Sequence, residues 1–399
     1  MKFHFGRIKV SFFLFISTLL WAYIQTISFI PDGWGHPFWE LTAQALETEI
    51  PAKISLAPDQ TITALMRLIS YGLVFLLAMY YCQKPDNAKK LFNYLAYAGF
   101  AYASYGLIVY FGDYQTILWF DKWAYNFDVT STIVNRNSYA TYAGLTLLCL
   151  IPNILRQFKN SSGYGLTSNY GKQLFIEAIV TRAWFPMLMF ICIGTALFLS
   201  HSRGGFLSVT LAFIVLFVVL GISKKLKSQM LNYASITLVI IGLGLFSVSG
   251  DKVMDRMDQI SVVKAERPKV YAATLTGIAD NPILGYGYGT YHNSFRLYRT
   301  KEIRMVFDKA HNTYLENIFE LGIPAASALF LSIILIAFKC LTGIWSRQRN
   351  WIYPAIGFSS SVLVAAHSIV DFSLQIPAVA ITYAAMLGAG FSQSFGSKQ

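Results

Sequence analysis

Apolar runs of membrane-spanning length recur along this chain, at about residues 8–30, 62–82, 91–111, 138–155, 184–200, 205–222, 231–249, 313–338, 351–370 and 376–394. Each is near the ~17–25 residues a helix needs to cross a bilayer. Within hydrocarbon every backbone polar group must be satisfied inside the segment, so repeated runs of this length leave helices as the available structure. The expected fold class is an all-α polytopic membrane protein with about ten transmembrane helices. The first run follows Lys2, Arg7 and Lys9, as the apolar core of a signal peptide would. It reaches spanning length without a small-residue cleavage site after it, so it reads as a retained first helix.

With 55% hydrophobic and only 13% charged residues, the chain falls outside the soluble globular class. The net charge of +12 does not point to nucleic acid, because the basic residues lie between apolar runs rather than in one patch. They read as topology signals. With the N-terminus placed inside, the inner segments collect 17 Lys/Arg, among them Lys84, Lys89, Lys90, Lys224, Lys225, Lys227, Arg347 and Arg349, against two acids, Asp86 and Glu177. Both termini are therefore expected in the cytoplasm, and residues 250–312 form the one long outer loop, between helices 7 and 8. The four cysteines show no CxxC spacing, so neither a disulfide framework nor a zinc site is indicated.

The chemistry is expected in the polar stretch from Glu266 to Pro324. Arg267 precedes Pro268, which suits the first turn of a helix. A GYGYG turn follows at Gly285, Gly287 and Gly289, and His311-Asn312 stands where the next apolar run begins. The turn lacks the GxxxxGK[ST] pattern and a strand–helix unit, so it is not a nucleotide loop, and no cofactor is expected. On the same expected side lie Arg203 in HSRGG and Asp371 in HSIVDFSLQIP. Taken singly, each has a plain structural reading: Arg203 snorkels or caps a helix, Arg267 is one more loop charge, His311 is an interfacial histidine. His367 and Asp371, four apart, would hydrogen-bond each other on a helix. Convergence on one side favours a site, since ionisable residues at the ends of spanning helices are functional candidates by default. Asn312, Glu316 and Glu320 recur every four residues and form one polar stripe on an apolar helix, expected to face the protein interior.

Two arginines suit the oxygens of a diphosphate leaving group, and a histidine suits proton removal from an attacking hydroxyl. The outer loops carry no Asp/Glu cluster suited to Mg²⁺, so cationic side chains would take the metal's part. The aromatic segments around Trp34 and Trp119-Phe120-Asp121-Lys122-Trp123 read as an interfacial belt, or as rings that stack on sugars.

In these pieces the chain resembles the O-antigen ligase and polymerase superfamily of bacterial envelope enzymes. The matching residues are NRNSYATYAG at 135–144, SRGG at 202–205, Arg267 to Tyr271 with NPILGYGYGTY, HNTYLENIFELGIPA at 311–325, and HSIVDFSLQIP at 367–377. The upstream half resembles the exopolysaccharide polymerase members more than the lipid A-core ligases. The resemblance divides the chain into an N-terminal transmembrane region, 1–130, and a ligase/polymerase-like domain, 131–399. It implies a glycosyltransferase C-like helical fold with a periplasmic loop over a cavity. The implied activity is metal-independent, inverting transfer of a glycan from undecaprenyl diphosphate to a glycan or lipid A-core acceptor, in the bacterial inner membrane. His311 matches the family's proposed catalytic histidine, and Arg203 and Arg267 its diphosphate-binding arginines. Asn312, Glu316, Glu320 and Asp371 are expected to line the substrate site. Rival readings are a flippase or transporter of lipid-linked oligosaccharide and a protein O-oligosaccharyltransferase. A transporter would want charges near the bilayer midplane and paired broken helices.

Overall fold

The computed structural model describes residues 5–157, 173, 177, 179–226 and 257–395. Its principal helices are α1 (Lys9–Ile24), α2 (Phe38–Ala45), α3 (Pro58–Tyr81), α4 (Pro85–Phe111), α5 (Arg136–Gln157), α6 (Trp184–Leu199), α7 (Arg203–Ile222), α8 (Met257–Asp280), α9 (Thr313–Ser346), α10 (Ile352–His367) and α11 (Pro377–Ser392). The only strands among the described residues are β1 (Thr116–Ile117) and β2 (Phe120–Asp121), an antiparallel pair. Among the described residues five helices, α3, α5, α6 with the turn before it, α7 and α9, are long and apolar enough to cross a membrane; α1, α10 and α11 are shorter and apolar. The chain is an all-α multi-pass membrane protein. Nine of the ten expected runs fall on a described helix, and the run at 231–249 lies outside the described residues, as does the inner segment around 160–172.

One element departs from the sequence reading. The stretch 250–312, read as a loop, contains the 24-residue α8, and Pro268 sits inside that helix rather than in its first turn. Proline removes one intrahelical bond and crowds the preceding turn. Pro268 and Lys269 are exposed, so this defect lies on a face with no packing to lose.

The chain divides into two compact units. The first comprises Met1–Leu73, Asp251–Ile336 and Ser368–Phe372; the second comprises Val74–Gly250, Ala337–His367 and Ser373–Gln399. The second unit is built around α5, which is buried without interruption from Ser138 to Pro152. A helix apolar on all sides belongs inside a bundle, and α4, α6, α7, α10 and α11 pack on it. Small residues permit the close approach. A Cβ on Gly144 would lie 2.2 Å from Val209, and one on Gly205 2.5 Å from Ala140.

Two apolar clusters stand out among the described residues of the first unit. One gathers Ala22, Leu65, Leu68, Leu321, Ala326 and Leu329 from α1, α3 and α9. The other joins Val270 and Ala273 of α8 to Tyr286, Tyr291, Phe295 and Phe319. Between them α9 breaks at Gly322, whose φ of 76° and ψ of 161° are not helical. Pro324 has no N–H to offer the carbonyl four residues back, so the Glu320 oxygen is left free. It accepts instead from the N–H groups of Tyr286 (3.2 Å) and Gly287 (3.0 Å) and from Gln25 Nε2 (2.9 Å). Trp21 Nε1 donates to the neighbouring Leu321 oxygen at 2.8 Å. The glycine turn is thus a clasp on the broken helix. A Cβ on Gly285 would lie 2.3 Å from the Glu320 oxygen, and one on Gly322 2.0 Å from the Ile283 oxygen.

Candidate functional site

In the first unit, Arg267 on α8, His311 ahead of α9, and Asp371 beyond α10 come together. His311 Nδ1 lies 3.4 Å from Asp371 Oδ1 and 3.5 Å from Arg267 Nη2. Asp371 is fully buried, and the His311 side chain keeps 19% exposure. Phe372 packs edge-on against the imidazole with centroids 4.9 Å apart. α10 ends at His367, so Asp371 lies in the connector and the four-residue spacing between them is not a helical one. His367 is buried in the second unit, its Nδ1 2.5 Å from the Thr141 hydroxyl.

The backbone around His311 is fixed residue by residue. The Ala310 N–H donates to Glu316 Oε2 at 2.9 Å, and the Tyr271 hydroxyl donates to the His311 oxygen at 2.9 Å. Asn312 Oδ1 accepts from the N–H groups of Tyr314 and Leu315, both at 3.0 Å, and so caps α9. The Thr313 N–H donates to the Ser368 oxygen and its hydroxyl to the Asp371 oxygen, each at 2.9 Å. Within this frame His311 has φ +51°, a left-handed conformation that costs a non-glycine residue about 1–2 kcal/mol. Such strain persists where surrounding contacts over-determine it. Burial raises the Tyr271 pKa, with Arg267 opposing and Asp371 adding to the rise, so the phenol keeps its proton and remains a donor.

Among the described residues Arg267 has only long contacts, to His311 and to the Val370 oxygen at 3.4 Å, and its buried Nε has no partner. A guanidinium with unspent donors beside an imidazole is what an anionic leaving group requires. The remaining stripe faces inward. Glu316 is fully buried and paired with Lys309 at 3.4 Å, and Glu320 Oε1 accepts from the Tyr291 N–H at 2.9 Å.

Arg203 belongs to the second unit, exposed at the first position of α7 behind the Ser202 cap, whose side chain accepts from Gly205 N–H. Close by in sequence is an ionic group that the sequence reading did not single out. Asp128, buried, takes Arg136 on Oδ2 at 3.0 Å and His201 on Oδ1 at 2.7 Å, while Lys122 Nζ donates to its backbone oxygen at 2.8 Å. Burial lowers the Lys122 pKa, and Asp128 opposes that shift. Ser202 donates to Asn137 Oδ1 at 2.8 Å, which joins the HSRGG and NRN motifs. The partners stand 8 and 73 residues from Asp128, spacings that carry no local signal. Trp119 and Trp123, at the β-hairpin, are 78% and 81% exposed.

Apolar helices of spanning length make this a multi-pass membrane protein, and its first unit holds a strained, partly accessible histidine beside a buried carboxylate and a guanidinium. Residues 188–331, less than half of the chain, match the family model described as O-antigen ligase. The match takes in Arg203, Arg267, His311, Asn312, Glu316 and Glu320, and ends before Asp371. No curated protein matches the chain.

Proposed function

We propose that the chain is a bacterial inner-membrane glycosyltransferase that transfers or polymerises an undecaprenyl-diphosphate-linked glycan on the periplasmic face. The observation that carries this reading is the Arg267, His311 and Asp371 cluster on its over-determined backbone. With the proton on Nδ1, His311 donates to the buried Asp371 carboxylate and presents the Nε2 lone pair to an acceptor hydroxyl. As the acceptor oxygen bonds to the anomeric carbon, its proton passes to Nε2. The bond from that carbon to the diphosphate oxygen breaks on the opposite face, and the lipid diphosphate leaves with the electron pair. Inversion follows from attack opposite the leaving group. Charge then grows on the phosphate oxygens, where the Arg267 donors stabilise it. On this reading the arginines take the metal's part.

Arg203 enters on its SRGG motif as a further diphosphate contact. Asn312, Glu316 and Glu320 act as positioning residues, since their side-chain oxygens hold the backbone on either side of His311 and in the glycine turn. The acceptor is the glycan of a second lipid-linked repeat or lipid A-core; the upstream resemblance to exopolysaccharide polymerases favours the former. Purified His311→Ala provides the test. Transfer should fall by about 10²–10⁴-fold while donor-lipid binding is retained, because a general base acts on the transition state more than on the bound ground state. Unchanged transfer, or binding lost in parallel with transfer, removes His311 from the role of base.

A further inference from the structure

The reaction above makes no use of a polar lane on α3. Asp59, Thr63, Arg67 and Tyr71 recur every four residues and so share one slowly turning face. The first three are exposed and Tyr71 is half-buried. Ile62, Met66, Ile69 and Leu73 are exposed around them, while Ala64, Leu65 and Leu68 on the other face are buried. α3 has a mean hydropathy of 1.9 and the length to span a membrane. Spanning helices turn their charges toward the protein interior or a water-filled cavity. Here the lane lies on the outward face.

Arg67 is its cation. Nine residues past Pro58 place it ~14 Å along a helix of ~36 Å at 1.5 Å per residue, within a hydrocarbon layer of ~30 Å. It makes no hydrogen bond or ion pair among the described residues. The Tyr71 hydroxyl one turn on is buried and has no partner either. The guanidinium lies within electrostatic reach of the Tyr71 and Tyr288 hydroxyls, and Tyr288 in turn within reach of Glu320 and Glu316. An arginine at this depth costs about 2.5–3.5 kcal/mol unless it is met by an anion or water. Helical side chains lean toward the helix N-terminus, so the fork rises toward the Pro58 end and the interfacial phosphates. Its planar donors fit phosphate oxygens in pairs.

We propose that Arg67, with Thr63 and the Tyr71 hydroxyl, is a lateral seat for the phosphate of a polyprenyl lipid entering from the bilayer. The lane begins on the exposed side of α3 and leads toward Tyr288, which lies within electrostatic reach of the buried stripe. That suits a lipid that must deliver its head to the protein interior, whereas a bulk phospholipid would only solvate the charge. The identity of the occupant rests on the function proposed above.

The full chain in nanodiscs, wild type and Arg67→Gln, can be titrated with undecaprenyl phosphate, which carries no glycan, and separately with phosphatidylglycerol. Losing a charge-assisted contact should weaken undecaprenyl phosphate binding about tenfold, with Arg67→Lys intermediate and phosphatidylglycerol binding unchanged. Unchanged undecaprenyl phosphate binding overturns the seat, and equal loss of both lipids overturns the polyprenyl assignment. If Arg67→Gln does not accumulate, a diazirine-bearing undecaprenyl phosphate on the wild type decides: adducts within Pro58–Tyr81 support the seat, and adducts elsewhere alone overturn it. A protein that binds through Arg67 yet transfers no glycan would refute the proposed function and leave the seat standing.

Discussion

His311 sits in a left-handed backbone conformation while Tyr271, Asn312, Thr313 and Glu316 each anchor the chain within a few residues of it. These contacts hold the imidazole between a buried carboxylate and a guanidinium with unspent donors. Two substitutions separate their roles. Arg267→Lys keeps the charge but loses the planar fork, so transfer should fall by about tenfold or more, with normal accumulation in the membrane; wild-type turnover would reduce Arg267 to a loop charge. Asp371→Asn keeps the shape yet no longer holds the Nδ1 proton by charge. It should lower kcat with little change in KM for the acceptor, and a raised KM with kcat unchanged would place Asp371 in binding instead.

At the scale of elements, the broken α9 explains why GYGYG is there. A helix interrupted at Gly322 exposes carbonyls, and the turn supplies the N–H groups that satisfy them. Gly322→Ala would force a Cβ to within 2.0 Å of the Ile283 oxygen in a backbone region that L-residues avoid. A loss of several kcal/mol is expected, about 1–3 of it from backbone strain alone, read as a fall in thermal midpoint in detergent. Gly194→Ala on α6 is the control. Its added Cβ meets nothing within 4 Å, and relief of helix-interior glycine should be neutral or stabilising by up to ~1 kcal/mol. Equal losses in the two variants would show that the Gly322 clasp does not matter to stability.

Across the whole molecule, hydropathy made the helices legible because each apolar run states its own length. α8 was not legible. Its apolar residues are few and its Pro268 reads as a start, whereas the helix continues back to Met257, and beyond the proline Val270 and Ala273 pack into a tyrosine-rich cluster. The site was legible in residue types but not in pairings. His311 meets Asp371 sixty positions later, and Asp128 meets His201, joins that no periodicity records. Orientation in the membrane rests on charge alone, and there the sequence makes a definite claim. The inner segments hold 17 Lys/Arg against two acids, a bias that sets topology when it falls in short loops. Reporter fusions after Lys225 should therefore score cytoplasmic and fusions near Thr300 periplasmic. Because an odd number of crossings must separate those two points, the pair also tests whether residues 231–249 span the membrane. A cytoplasmic score at Thr300 would place His311 on the side where no periplasmic acceptor could reach it.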